Sequence, residues 1–337
     1  MKILITGGAG FIGCNSADYF LGKDHEVSVL DNLSRAGTDK NLEWLQKRHP
    51  NVIFVKADVR TDQSVLNEEV SKADAVIHLA AQVAVTTSVT NPREDFDINA
   101  LGTFNVLEAI RKSENKPPLI YSSTNKVYGK MEELEVVEGE NRYKYKDIEG
   151  VDENQNLDFH SPYGCSKGAA DQYVLDYARI YNLKTVVLRQ SCIYGTRQFG
   201  IEDQGWVAWF IIATSLGTPL KIYGNGKQVR DVLYIDDLVR CFEMAFDNIN
   251  KTTGKAYNIG GGPNNSLSLL ELIAQLENLH GNEIEHSFHD WRPGDQPVFI
   301  CDISKAKNDF GWEPKVSPEE GVKKLFNWVQ ENKELFQ

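Results

Sequence analysis

Lys2-Ile3-Leu4-Ile5-Thr6-Gly7-Gly8-Ala9-Gly10-Phe11-Ile12-Gly13 is an apolar, largely β-branched run that stops on glycines and passes directly into a helical pattern reaching Leu21. The stretch reads as strand, glycine turn and helix. The spacing Gly7-x-x-Gly10-x-x-Gly13 lets the backbone turn tightly, approach a pyrophosphate closely and pack helix against strand, with the helix-start amides facing the phosphates. A second strand, Glu26 to Leu30, ends in Asp31, 18 residues past Gly13, where a carboxylate binds adenosine ribose hydroxyls. A carboxylate there repels the extra phosphate of NADP and favours NAD, although Arg35 just downstream is of the type that accommodates such a phosphate.

The alternation continues. Strands are expected at Val52 to Lys56, followed by Asp58, at Ala75 to Leu79, followed by Ala80-Ala81-Gln82, and at Leu119 to Ser122, with a helix from about Asp95 to Arg111. Strands alternating with helices specify an α/β, Rossmann-type doubly wound parallel sheet, expected here over residues 1–190. Ligands of such sheets bind beyond the carboxyl ends of the strands, where Asp31, Asp58, Ala80 and residues 122–124 fall. Residues 130–156 turn polar and charged, which fits an ordered excursion or lid as well as a solvated loop. After strand Thr185 to Arg189 the alternation weakens, and the polar-aromatic stretch Arg197 to Trp209 introduces a smaller substrate-binding lobe. That lobe is expected over residues 191–337, with some segments returning to the first domain. No linker or repeat separates the two, so the ligand is expected between them.

A formal charge of −12 over 337 residues argues against a nucleic-acid or anionic-membrane partner, because both demand basic surfaces. An anionic ligand then needs local arginines. The cysteines, Cys14, Cys165, Cys192, Cys241 and Cys301, are scattered without Cys-x-x-Cys or metal-ligand spacing and read as reduced core residues. His286 and His289 sit in a polar stretch without a second ligand pair, so no metal is expected. The chain enters an apolar strand at Ile3 without a signal-peptide layout, and no apolar run approaches spanning length, so a cytoplasmic location is expected.

Ser161 to Ile180 reads as a helix with a defined start, Ser161 serving as N-cap and Pro162 following it. Tyr163 and Lys167 then fall one turn apart on one face. A phenol with a pKa near ~10 is a poor base at neutral pH, and a neighbouring ammonium favours its ionised form. Taken alone, the pair reads equally as core filler and a solvated charge. The glycine motif upstream is what makes it a candidate for proton transfer. Arg230, after the turn Gly224-Asn225-Gly226, and Arg292, which opens Arg-Pro-Gly-Asp, lie in separate loops and are candidates to clamp a diphosphate.

The glycine motif at 7 to 13, Ser122-Ser123-Thr124 and Tyr163-Gly164-Cys165-Ser166-Lys167 together resemble the extended short-chain dehydrogenase/reductase family, which includes nucleotide-sugar epimerases and dehydratases. The resemblance covers essentially the whole chain. It implies that Tyr163 is the catalytic base, that Lys167 lowers its pKa and holds the nicotinamide ribose, and that Thr124 hydrogen-bonds the reacting sugar hydroxyl. The implied cofactor is NAD, held first by Gly7, Gly10, Phe11, Ile12 and Gly13. The strand ends and loops beyond add Asp31, Asn32, Ser34 and Arg35, then Asp58 and Val59, then Leu79, Ala80, Ala81 and Gln82. Asn99 and Ser122 complete the set with Tyr163 and Lys167. The implied substrate contacts are Thr124, Gln198, Gln204, Arg230, Arg292 and Asp295.

The blocks Ser122 to Gly129, Asp158 to Tyr173, Asp203 to Val207 and Gly224 to Asp231 are similar to those of the family's carbon 2 epimerases. This implies a CDP-activated 3,6-dideoxyhexose as substrate, of the kind built into surface polysaccharides. The family's 4,6-dehydratases carry an Asp-Glu pair after the Thr124 position, where this chain has Asn125 and Lys126. Neither is a carboxylate, which argues against water elimination. A UDP-hexose 4-epimerase stands as the alternative, since the same three residues serve carbon 4 when the sugar is turned. A non-catalytic NAD-binding sensor or scaffold is the alternative of another class. The resemblance also implies a homodimer or homotetramer assembled through the helices near 95 to 111 and 161 to 180.

Overall fold

In the computed structural model, which describes residues 1–292 and 295–336, strand Lys2–Thr6 lies inside a seven-stranded parallel sheet. From one edge the order is Ile53–Lys56, Glu26–Asp31, Lys2–Thr6, Ala75–His78, Leu119–Thr124, Thr185–Gln190 and Lys255–Ile259. The order reverses between Lys2–Thr6 and Ala75–His78, which opens a crevice beyond the carboxyl ends of those strands. Apolar residues run continuously because both faces are covered: Ile3 and Ile5 enter one core, while Leu4 enters the other. Strand Lys255–Ile259, from well beyond residue 190, completes the far edge by pairing with Thr185–Gln190.

The helices follow the expected order, with one difference. The segment expected as a single helix from Asp95 begins at Pro92, capped by the Asn91 carboxamide, and passes through a π turn at Asp97–Leu101 before Gly102–Lys112. The wide turn carries Asn99, whose buried carboxamide has partners outside the helix. Such π turns occur often where a helix serves a site.

Residues beyond 190 form small sheets. Leu220–Tyr223 pairs in parallel with His286–His289, and Val229–Tyr234 pairs with Cys192–Tyr194, Val298–Phe299 and Ser266–Ser268. One apolar cluster runs from Val186 and Leu188 of the large sheet into Val232, Leu233 and Phe242, so the two parts share a core. Residues 130–156 are an ordered excursion. Val136–Glu138 pairs with Tyr143–Tyr145, the Tyr145 hydroxyl donates to the Val298 carbonyl at 3.1 Å, and Val151 bridges Cys301. None of these residues lines the cleft described below, so the segment buttresses the second lobe and is not a lid.

Cys14, Cys241 and Cys301 are buried as expected, but Cys165 is exposed and Cys192 faces the cleft. Among the described residues no helix is long and apolar enough to cross a membrane. Pro293 and Gly294 of the Arg-Pro-Gly-Asp stretch lie outside the described residues.

The helix Ser161–Tyr181 is fastened to the sheet by charge as well as by packing. Asp171, fully buried, receives Arg189 Nε and Nη2 at 3.0 Å each and the Ser123 hydroxyl at 2.8 Å, while Arg189 also reaches the Tyr128 hydroxyl at 3.1 Å. Removing one partner of such a buried pair costs about 3–5 kcal/mol, because the other charge is left without compensation. The register Ser123 opposite Arg189 and Thr124 opposite Gln190 brings two strand ends side by side beneath this helix.

Candidate active site

The carboxyl ends of the strands open into a cleft of about 900 Å³ between the sheet and the second lobe, a size suited to sizeable ligands. Its floor at one end is the glycine turn. Gly7 has φ +69°, and a Cβ there would lie 2.6 Å from the Ala80 amide nitrogen. A Cβ on Gly13 would run into the Gly7 carbonyl oxygen. Both positions therefore exclude any other residue, and the turn can bring the first amides of helix Phe11–Leu21 close to an anion. Asp31 ends the second strand with one carboxylate oxygen accepting from the Ala9 amide at 3.1 Å and the other from the Leu33 amide at 2.8 Å. It is fixed in orientation and lines the cleft.

Asn32 and Asp58 face the cleft together, joined by Asn32 Nδ2 donating at 2.8 Å. The Arg60 guanidinium holds the Asp58 carboxyl at about 2, so it is ionised at any physiological pH. Phe11, Ile12, Ser34, Val59, Leu79 and Ala81 complete the apolar and polar walls of this half. The donor set, the glycine cradle and the fixed carboxylate fit an NAD-type dinucleotide.

Gln82 and Asn99 do not line the cleft. The Asn99 carboxamide accepts from the Gln82 amide at 2.9 Å and donates to the Gln82 carbonyl, to Asp95 and to the Ser166 hydroxyl at 3.1 Å each. It ties the loop after the fourth strand to the helix that carries Tyr163. Asn99 thus positions the site from beneath without facing a ligand.

Ser122, Thr124, Tyr163 and Lys167 meet at the middle of the cleft. The Ser161 hydroxyl accepts from the Gly164 amide at 3.2 Å, which caps the helix as its sequence suggests and sets the first turn, although Ser161 itself has φ +63°. Lys167 is 4% exposed, its ammonium donating to the Ser122 carbonyl at 2.5 Å and lying 4.3 Å from the centre of the Tyr121 ring. Burial pushes it down to about 7, against the opposing pull of Asp171 and Asp95. Tyr163 is also buried, which pushes its phenol up to about 12. The adjacent Thr124 hydroxyl and the Arg35 guanidinium favour the phenolate, and Asp95 disfavours it. Lys167 directs its ammonium at the Ser122 carbonyl and the Tyr121 ring, and among the groups around the phenol Thr124 and Arg35 favour the phenolate.

The other half of the cleft is lined by Gln198, Gln204, Arg230, Arg292 and Asp295. Arg230 pairs with Asp295 at 2.5 Å, and Arg292 pairs with Asp203 at 3.1 Å while its guanidinium stacks 4.0 Å from the Tyr223 ring centre. Both arginines are thus held at the cleft by carboxylates and aromatic contact. Several polar atoms here are buried without a partner among the described residues: Gln190 Nε2, Gln198 Oε1, Gln204 Oε1, Trp206 Nε1 and Gln228 Oε1. All five side chains line the cleft. Each such atom costs about 1–3 kcal/mol unless something pairs with it, so this wall is polar and incompletely satisfied.

Sequence reasoning did not single out Gln190, Cys192, Trp206, Gln228 or Lys126 as site residues, yet all face the cleft. Gln190 carried a usable signal, since it ends the sixth sheet strand where ligands bind. The others depend on how the second lobe folds back.

Lys167 makes a measurable demand on stability. Between about pH 7 and pH 10.5 the unfolded chain binds a proton on Lys167 that the folded chain does not, so stability rises with pH through that window and levels off below about 7. Lys167→Met should remove this rise, about one proton's worth of slope, in denaturant unfolding of protein freed of nucleotide. An unchanged slope would show that Lys167 keeps an ordinary pKa in the fold.

Residues 4–325 match the profile of the GDP-mannose 4,6 dehydratase family. The chain is 49% identical over 337 residues to a CDP-paratose 2-epimerase of Salmonella typhi, covering 98% of this chain and 99% of that protein. Among solved structures, UDP-glucose 4-epimerase with UDP-glucose from Thermotoga maritima is similar with a TM-score of 0.85 at 33% identity, covering 99% of this chain and 100% of that one. UDP-glucuronic acid 4-epimerase from Bacillus cereus, in complex with UDP-glucuronic acid and NAD, gives 0.84 at 28% identity, covering 98% and 99%. Likeness over the whole length, joined to the glycine turn and the Thr124, Tyr163 and Lys167 set, places the chain in the GDP-mannose 4,6 dehydratase family of extended short-chain dehydrogenase/reductases.

Proposed function

We propose that this protein is an NAD-dependent nucleotide-sugar epimerase that inverts carbon 2 of a CDP-activated 3,6-dideoxyhexose, converting CDP-paratose to CDP-tyvelose in the cytoplasm. The observation that carries the carbon 2 assignment is the 49% identity to a CDP-paratose 2-epimerase along both chains. The cleft supports it with an intact Thr124, Tyr163 and Lys167 and with non-carboxylate side chains at Asn125 and Lys126. Within this reading, residues 1–190 hold the cofactor and residues 191–337 supply most of the substrate wall.

The hydrogen on carbon 2 is not next to a carbonyl, so simple deprotonation would leave an unstabilised carbanion. Oxidation has to come first. When bound, NAD supplies the hydride acceptor and returns the same hydride. Gly7, Gly10, Gly13 and Asp31 would hold its diphosphate and adenosine ribose, and Lys167 its second ribose. Tyr163 takes the proton of the carbon 2 hydroxyl in its phenolate form, which burial disfavours and Thr124 and Arg35 favour, while Thr124 aligns that hydroxyl. The sugar is left as a 2-keto compound, having lost one hydride and one proton. Arg230 and Arg292 keep hold of the diphosphate while the hexose presents its opposite face, and Tyr163 then gives the proton back. The side chains of Gln198, Gln204 and Gln228 line the same half of the cleft and offer polar partners to the sugar.

The same reading includes assembly with a second copy. Phe104 on helix Gly102–Lys112, and Tyr173, Ile180 and Tyr181 on helix Ser161–Tyr181, are all exposed, with Tyr173 at 50% and Ile180 at 58%. Phe104 and Tyr173 stack edge-on at 5.9 Å and form one apolar face across both helices. A second copy of this face would make a homodimer, or a homotetramer built from two such dimers. Light scattering should report at least a dimer for the parent and a single chain for Tyr173→Asp combined with Ile180→Asp. Persistence of the dimer in that variant would place the interface elsewhere.

NMR analysis after incubation with CDP-paratose tests the activity. The epimer at carbon 2 is expected, and Tyr163→Phe should lower turnover by about 10²–10⁴-fold, as for loss of a positioned proton-transfer group. Conversion at carbon 4 would replace the assignment with a 4-epimerase, and near-normal turnover by Tyr163→Phe would overturn the residue roles. A failure to turn over any nucleotide sugar would leave a non-catalytic NAD-binding protein.

A further inference from the structure

Lys126, two residues past Thr124, faces the cleft. Its backbone amide donates to the Thr124 hydroxyl at 3.2 Å, so the residue is fixed one short turn from the group that aligns the reacting hydroxyl. Its side chain runs toward the other end of the site. The ammonium lies 3.5 Å from Gln296 Oε1, the Gln296 amide donates to Asp295 Oδ1 at 3.0 Å, and that same oxygen receives Arg230 at 2.5 Å. Lys126 and Arg230 are thus linked through Gln296 and Asp295, with Arg230 alone on the carboxylate. Both burial and the neighbouring Arg230 disfavour the Lys126 charge, and an anionic ligand placed between Thr124 and Arg230 would relieve that cost. Its single long contact with an amide oxygen gives the ammonium little structural purpose of its own.

We propose that Lys126 is a specificity-determining residue: its ammonium, on a backbone fixed to Thr124 and reaching toward Arg230, binds the sugar-linked phosphate of the substrate, and so presents carbon 2 rather than carbon 4 to Tyr163. The reason lies in the ring. The anomeric carbon that bears the phosphate is bonded directly to carbon 2 but lies across the ring from carbon 4. A cation tethered two residues from the alignment residue therefore draws the phosphate toward Thr124 more than Arg230 and Arg292 alone would, a placement that suits carbon 2 chemistry. If the diphosphate were held by Arg230 and Arg292 alone, farther from Thr124, the ring could extend toward Tyr163 and offer its distant edge. This inference rests on the carbon 2 reading proposed above and names how that reading is enforced.

The test uses CDP-paratose, with hydroxyls at both carbons, and CDP alone as a probe of the phosphate site. Lys126→Met is expected to weaken CDP binding at least tenfold by calorimetry, to raise KM more than it lowers kcat, and to shift product toward the carbon 4 epimer by NMR. Lys126→Arg should restore CDP affinity and the carbon 2 preference, which a merely structural role would not require. Lys126→Gln serves as a second isosteric variant if the methionine variant does not fold, with melting temperature and bound-NAD content as the check. Unchanged CDP affinity together with an unchanged ratio of carbon 2 to carbon 4 product in a folded variant would overturn the proposal. If the parent itself forms no carbon 2 epimer, the proposed function falls, while the CDP measurement still decides whether Lys126 contacts phosphate.

Discussion

Lys167 carries an ammonium into a site almost closed to water, and the arrangement of the cleft depends on how that charge is accommodated. Its hydrogen bond to the Ser122 carbonyl pins helix Ser161–Tyr181 to the end of strand Leu119–Thr124. The Asp171 and Arg189 pair fixes the same helix one turn further on, and Asn99 fixes it from the side of the π turn. Tyr163 has freedom only within those ties. Because burial pushes Lys167 down to about 7 and the Tyr163 phenol up to about 12, both groups are held away from their ordinary protonation behaviour. Perturbed pairs of this kind in a cleft mark sites of proton transfer.

The two halves of the cleft are built on different principles. The dinucleotide half is rigid, since its glycines admit no side chain and its Asp31 carboxylate is locked by two backbone amides. The substrate half is polar and incompletely satisfied, with paired arginines at its far end and unpartnered glutamine atoms along its wall. Rigidity on one side and adaptable acceptors on the other suit a reaction that keeps its cofactor and turns its sugar over between two faces.

Much of this was legible in the chain because the deciding signals are local. The glycine spacing, the strand that ends in Asp31 and the one-turn separation of Tyr163 and Lys167 each depend on a few consecutive residues, and the structure places all of them as read. What was not legible depends on long-range burial. The positioning role of Asn99 needs the π turn and the loop at Gln82 to meet. The direction of the Lys167 ammonium, toward Ser122 and the Tyr121 ring, depends on packing that periodicity does not reveal. Residues 130–156 fit an excursion, a lid or a solvated loop equally from their charge, and only the packing of Tyr145 and Val151 commits the segment to the core of the second lobe. Lys126 was noticed only for what it is not, a carboxylate, and its place between Thr124 and Arg230 emerges when the second lobe closes over the strand ends.

In the proposed reaction Tyr163 and Thr124 hold carbon 2 for oxidation and reduction on one bound cofactor, with no exchange of the carbon-bound hydrogen with water. CDP-paratose carrying deuterium on carbon 2, converted in ordinary water and followed by NMR and mass spectrometry, tests it most directly. The account predicts a carbon 2 epimer that retains the deuterium on carbon 2. A product carrying solvent hydrogen there would contradict it, because the hydrogen would then have left as a proton.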